Sequence, residues 1–423
     1  MPRGPYDRLI LAVSADAQDG CHFMRLPFEI RTIIYRLVLT EYCLTDEKHC
    51  YPRHKVYHRP GFVGPRRMYC AILRTCRAIY AESWHLPNQL WEPVFRIDPT
   101  GSWVNGKLDK DTGSIYIHSP KHGDLYAAQR LLQQRLKRMR VLHGLHSRGT
   151  STDLSMLEEG EDQDCDDRER RCLQIEHLQV FSSTRGLEKH ALANALATPD
   201  FHPQSITITI RHVDWKRWET DRNLSIRAGW LKNLGESLSP STCEVMFELE
   251  SLKRKQDLVD YIATHISRYW FIKRRDGTCL YADATEGSNS VEKWTGSSVL
   301  HETRWVRDET GERELEYYVI RVPLRERRLI RKGARISSFA QAGQFDVSKM
   351  GIEAPGATLT MPAGEPDSIY WPWGDNEAEQ HQGGEDDDGP PAHMHWCGNC
   401  LEAIRRKIPF PWQKNEHPKW DRW

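Results

Sequence analysis

Apolar positions near the start of the chain recur with the period of a helix. Ile30, Ile33, Ile34, Leu37 and Val38 share one face of a segment over residues 27–39. Pro27 opens it, where a first helical turn tolerates a missing amide proton. A second helix is expected over 68–85, with Ile72, Leu73, Cys76, Ile79, Tyr80 and Trp84 repeating the pattern and Pro87 stopping it. Helices this short are marginal alone, so the two stripes are expected to bury each other as a small helical module. Strand-like alternation at Ile115–Ile117 then leads into a long helix over 125–142, with Leu125, Ala128, Leu132, Leu136 and Met139 on one side.

From residue 173 the pattern alternates between strand and helix. It predicts strands over 175–181, 205–212, 243–250 and 269–275, and helices over 187–197, 222–238 and 252–268. Such alternation implies an α/β (α+β overall) fold built on a mainly parallel sheet. A degenerate leucine-rich-repeat-like solenoid is the nearest repeat reading. Asp276-Gly277 offers a hairpin turn, and a second hairpin is expected between 300–306 and 315–322, so the sheet should finish antiparallel.

Composition changes this picture at two places. Residues 151–171 hold the acidic run Glu158, Glu159, Glu161, Asp162, Asp164, Asp166 and Asp167, too poor in apolar side chains to offset its ordering entropy. Residues 332–396 are rich in Gly, Pro and acids, and read as a disordered tail before a Trp-rich terminal segment over 397–423. The expected organisation is a helical module over 22–98 with a loop insertion at 41–68, a strand and basic helix over 99–150, a flexible insertion over 151–171, an α/β body over 172–331, and the two C-terminal stretches.

Charge and cysteine usage narrow the function classes. The formal net charge is zero, with eleven scattered cysteines that fit reduced thiols better than a secreted disulfide framework. Arg3 and Arg8 precede five apolar residues at Leu9–Val13, short of the roughly 7–15 that a secretory signal needs. Without a membrane-length apolar run either, a cytoplasmic or nuclear location is expected. The basic face Arg130, Arg135, Lys137, Arg138 and Arg140 is a candidate for nucleic acid, though a solvated helix face is the commoner outcome. Two loose metal-ligand groupings, His393, His395, Cys397 and Cys400, and Cys43, Cys50, His54 and His58, lack the double-knuckle spacing of zinc sites, so no cofactor is expected. No phosphate loop, nucleophile elbow, zincin helix or kinase signature occurs, and the chain reads as non-enzymatic.

The segments Leu26-Pro27-Phe28-Glu29-Ile30-Arg31-Thr32-Ile33-Ile34-Tyr35-Arg36-Leu37-Val38-Leu39 and Leu73-Arg74-Thr75-Cys76-Arg77-Ala78-Ile79-Tyr80-Ala81-Glu82 carry a resemblance. They are similar to the paired signatures of a large group of fungal F-box-like proteins, mostly without assigned activity, which read LPxEIRxxIYxLVL and LLRxCRxIYxEA. The resemblance implies substrate recruitment to a cullin-RING ubiquitin ligase. Leu26, Pro27, Ile30, Ile34 and Leu37 match the positions with which an F-box docks the ligase's adaptor subunit. The insertion at 41–68 and Ile79, where an F-box has Trp, depart from that pattern. The alternative is a scaffold in which this face packs on the C-terminal sheet, since most amphipathic stripes are core.

Overall fold

The computed structural model describes residues 21–45, 50–53, 58–98, 115–118, 174–198, 201–216, 218, 223–300, 303–354 and 369–370. The basic helix over 125–142, the acidic insertion, His54 and the whole segment 371–423, with His393, His395, Cys397 and Cys400, lie outside them.

The N-terminal module starts with α1 (Phe28–Leu39), followed by a two-stranded ribbon of β1 (Tyr42–Cys43) and β2 (Arg66–Arg67). The expected single helix over 68–85 is divided. A 3-10 turn at Cys70–Arg74 is separated from α2 (Arg77–Ser83) because Cys76 is extended, its Sγ accepting the amide of Ile79 as a cap. Pro87 does not stop the chain's helical course. It occupies the first turn of α3 (Leu86–Gln89), where the missing donor costs nothing. Tyr35, Leu39, Cys70, Leu73, Ile79, Leu86 and Leu90 form the module's core.

The body is a ten-stranded sheet. Its parallel strands are β3 (Val94–Asp98), β4 (Ile115–His118), β5 (Gln174–Ser182), β6 (His202–Ile210) and, after the short β7 (Ser225–Ile226), β8 (Glu244–Leu252). They lie in the order β4-β3-β5-β6-β8. That order departs from a leucine-rich-repeat-like solenoid, in which successive strands stack sequentially, because the second strand lies outside the first. Crossovers carry α4 (Thr184–Glu188) and α5 (Ala191–Leu196), then α6 (Trp230–Ser237), and α7 (Gln256–Tyr269) follows β8. The two expected helices over 187–197 and 222–238 thus shrink. The first breaks at His190, whose φ of 60° is left-handed, and the second begins only at Trp230.

The sheet does finish antiparallel. β9 (Phe271–Lys273) and β10 (Cys279–Ala282) form a hairpin turned by Asp276-Gly277, with Gly277 at φ +84° and Asp276 Oδ1 accepting the Thr278 amide at 2.9 Å. Strand 269–275 is therefore a hairpin arm and not a further parallel strand. The second hairpin also has a different partner from the one expected. Residues 290–297 (β11), and not 300–306, pair with β15 (Glu314–Glu326), while β12 (Val299–Leu300), β13 (Thr303–Arg304) and β14 (Glu309–Gly311) occupy the long connection. β15 also pairs β8 along nine residues, which joins the two halves of the sheet.

The alternation along β6 and β8 decides which face meets the helices. Ile206, Ile208, Ile210, Val245, Phe247 and Leu249 are all fully buried under α5, α6 and α7. α7 contributes Leu258, Val259, Ile262, Ala263 and Ile266, its larger aliphatic side chains each worth about 1.5–3 kcal/mol of gross transfer free energy. Trp230, Phe247 and Trp270 meet edge to face at centroid distances of 5.1–6.0 Å.

Residues 332–354 correct the expected boundary of the disordered tail. α8 (Ser338–Ala342), α9 (Val347–Met350) and β16 (Ile352–Glu353), which pairs β7, pack onto this same core, and a last strand, β17 (Ile369–Tyr370), pairs β13. Ala340, Met350 and Ala354 are buried there, and the Trp270 indole donates to the Met350 carbonyl at 2.6 Å. The stretch reads as disordered because it is rich in Gly and polar residues, but Ala340, Met350, Ile352 and Ala354 are placed in the core with Ile336, Phe339 and Phe345 packed against it.

Candidate partner-binding face

α1 is apolar on two sides, and the module buries the smaller one. At 100° per residue, Tyr35 and Leu39 lie nearly opposite Ile30, Ile33 and Leu37. Tyr35 and Leu39 are buried, whereas Leu26, Pro27, Phe28, Ile30, Ile33, Leu37 and Val38 are exposed, Ile33 by 54% and Leu37 by 73%. Ile34 is half-buried. The expectation that this stripe packs against the second helix is thereby corrected. None of the seven belongs to the body's core either.

A polar lock fixes this roll of the helix. Arg31 donates through Nε and Nη2 to Glu82 on α2 at 2.9 and 2.6 Å, and through Nη1 to the carbonyls of Met24 and Leu26. The Tyr35 hydroxyl donates to the same carboxylate at 2.7 Å. Burial works to raise the Glu82 carboxyl, but the hydrogen bonds from Arg31 and Tyr35 outweigh it and hold the group below its usual range. Burial, then the bond to Glu82, pushes the Tyr35 phenol well above its ordinary value. These are motif residues: Arg31 and Tyr35 of the first segment, Glu82 of the second. A pairing of Arg and Tyr one helical turn apart with a glutamate on the next helix was available as a sequence signal. Arg36 adds an ion pair to Glu176 on β5 at 2.7 Å.

The insertion at 41–68 has a use that its composition does not announce. Residues 58–63 form a strap across the second face of the sheet, the one turned away from the helices. There the Arg59 guanidinium meets Glu248 at 2.6 Å, and the same nitrogen lies 3.3 Å from Glu250. Arg321 approaches Glu248 from β15 at 2.7 Å, and Thr209 donates to it at 3.0 Å. Burial favours the neutral carboxyl at both glutamates, but the cations Arg59 and Arg321 win at Glu248 and lower it, while burial wins at Glu250 and raises it. Phe181 on β5 lies under three guanidinium groups, those of Arg59, Arg96 and Arg211, at 4.7–5.5 Å, with Phe62 of the strap edge-on at 5.0 Å. His212 beside this layer is fully buried, and burial, then the charges of Lys255 and Arg254, push it down to about 3.

Of the second metal-ligand grouping, Cys43 donates to the Gly61 carbonyl at 2.8 Å. Among the described residues no three His, Cys, Asp or Glu side chains are gathered as a metal set, and no helix is long and apolar enough to cross a membrane. Of the tryptophans beside β6 and β8, Trp215 and Trp230 are core, and Trp218 packs at 5.0 Å on Trp305. Comparison with family models, with curated proteins and with solved structures finds no match.

Proposed function

We propose that the protein is a non-enzymatic interaction adaptor that docks the adaptor subunit of a cullin-RING ubiquitin ligase through α1 and presents its α/β body to a second protein. The observation that carries this reading is the outward apolar stripe of α1. An amphipathic helix laid in an apolar groove is a recurring recognition mode, and soluble proteins seldom leave contiguous apolar side chains in water without use. Leu26, Pro27, Ile30 and Leu37, four of the five positions that the resemblance assigns to docking, are exposed. The fifth, Ile34, borders the stripe.

The test is affinity purification of the full chain from native cells, scored for cullin and its adaptor subunit. The expected result is capture by the wild type and its loss in Ile33→Asp and Leu37→Asp, with melting temperatures unchanged because neither side chain is buried. Wild-type protein that captures neither component refutes the reading. One specific feature favours a scaffold as the second reading. The strap and the Arg36–Glu176 pair fasten the module to the body, which an independent docking module does not need.

A further inference from the structure

Two cavities lie between the strap and the second face of the sheet, with Arg59 and Trp294 in the walls of both. The smaller, about 30 Å³, is lined by Arg53, Arg59, Arg211, Glu250, Trp294 and Tyr317 among others. Buried polar atoms almost always find partners. Among the described residues, four without a hydrogen bond belong to side chains of this wall: Arg59 Nε and Nη1, Trp294 Nε1, and Glu250 Oε2, whose contact is the ion pair with Arg59 Nη2 at 3.3 Å. The Arg59 side chain is only 6% exposed, so its two unused nitrogens are not satisfied by bulk water. Three of the four atoms are donors. Each of the wall's three guanidinium groups faces a carboxylate, Arg59 with Glu248 and Glu250, Arg211 with Asp214, and Arg53 with Glu314 at 3.8 Å, so what the wall offers is spare donors and not net charge. Arg211 is already held by Asp214, so its charge is compensated there and it is not counted among the cavity's donors.

The cavity's size limits the occupant. With about 10–15 Å³ per water site, it takes two or three atoms of water size and no complete metabolite. Exposed Arg53 stands beside it, so a larger molecule can leave its remainder outside. A surplus of unpartnered donors and this volume together fit the oxygens of a carboxylate, or two oxygens of a phosphate whose remainder stays at the mouth. We propose that the cavity is a subsite for a carboxylate or phosphate group, with Arg59 Nε, Arg59 Nη1 and Trp294 Nε1 as its donors and Arg53 as the charge at its mouth. Nothing in this assignment depends on α1, so its failure leaves the docking reading intact, and the reverse holds.

The test titrates the full-length protein with inorganic phosphate, and separately with acetate, at an ionic strength held constant with sodium chloride. The readout is the Trp294 indole N–H resonance, assigned by its loss in Trp294→Phe. A saturable shift with either anion, absent with chloride alone, is expected, and the anion that saturates at the lower concentration identifies the chemistry. Arg59→Lys keeps the charge facing Glu248 but removes the planar donors, and should weaken binding about tenfold. Should that variant not fold, Arg53→Ala and Trp294→Phe take its place, with calorimetry as the readout and a weakening of about two- to fivefold expected from each. No saturation with phosphate or acetate, or saturation unchanged in every folded variant, overturns the proposal and leaves the cavity to ordered water.

Discussion

Glu82 receives Arg31 and Tyr35 together, and its protonation state decides whether α1 keeps its roll. Its folded-state value is depressed, so the unfolded chain binds the proton more readily. The stabilisation is therefore complete above the ordinary carboxylate range, near about 4.3, and is lost as pH falls through the lower folded value. Hydrogen exchange of the α1 amides should accelerate across that window before the sheet's amides respond. Glu82→Gln should remove the pH dependence and cost about 1–2 kcal/mol at neutral pH, reduced from the buried-pair value because the carboxylate is partly hydrated. His212 moves in the same direction over a higher window. With a folded value of about 3 it resists protonation, so its contribution is complete above about 6.5 and declines as pH falls toward 3. An acid titration of chemical stability should thus begin to fall near pH 6.5, and His212→Gln should flatten that limb.

Among the elements, the strap is the one whose loss should be felt furthest away. Arg59→Ala leaves Glu248 with Arg321 alone and takes from the buried Glu250 its ion-pair partner, which should cost about 3–5 kcal/mol in urea unfolding. The apolar arms of the sheet were legible from alternation at Ile206–Ile210 and Val245–Leu249. The burial of the opposite face was not, because Thr207, Thr209, Glu248 and Glu250 are residues that alternation assigns to water. The approach of α6 to β9 was equally hidden. A Cβ on Gly235 would stand 2.2 Å from the Lys273 carbonyl oxygen, so Gly235→Ala should destabilise the protein by about 1–3 kcal/mol, read from the same unfolding curves.

At the scale of the molecule, α8, α9 and β16 make residues 338–354 part of the core. Truncation after residue 331 should expose Trp270, remove the acceptor for its indole, and yield protein that melts at a lower temperature or aggregates. Truncation after residue 370, which retains all three elements and β17, should keep Trp270 covered and its indole bonded to Met350. This contrast, measured by thermal unfolding, separates the core-forming tail from whatever follows it. By itself the sequence determined the helical character of α1, the alternating strands β5, β6 and β8, the Asp276-Gly277 turn and the antiparallel finish, because each depends on side-chain periodicity or on turn chemistry within a few residues. Tertiary structure alone decided the rest. The order β4-β3-β5-β6-β8, the partner of β15, the docking of 332–354 and the outward side of α1 depend on contacts between residues far apart in the chain. A two-sided apolar helix has no local preference for which side it buries. Here that choice falls to one glutamate on the next helix, which binds Arg31 and Tyr35 and leaves Ile30, Ile33 and Leu37 facing out.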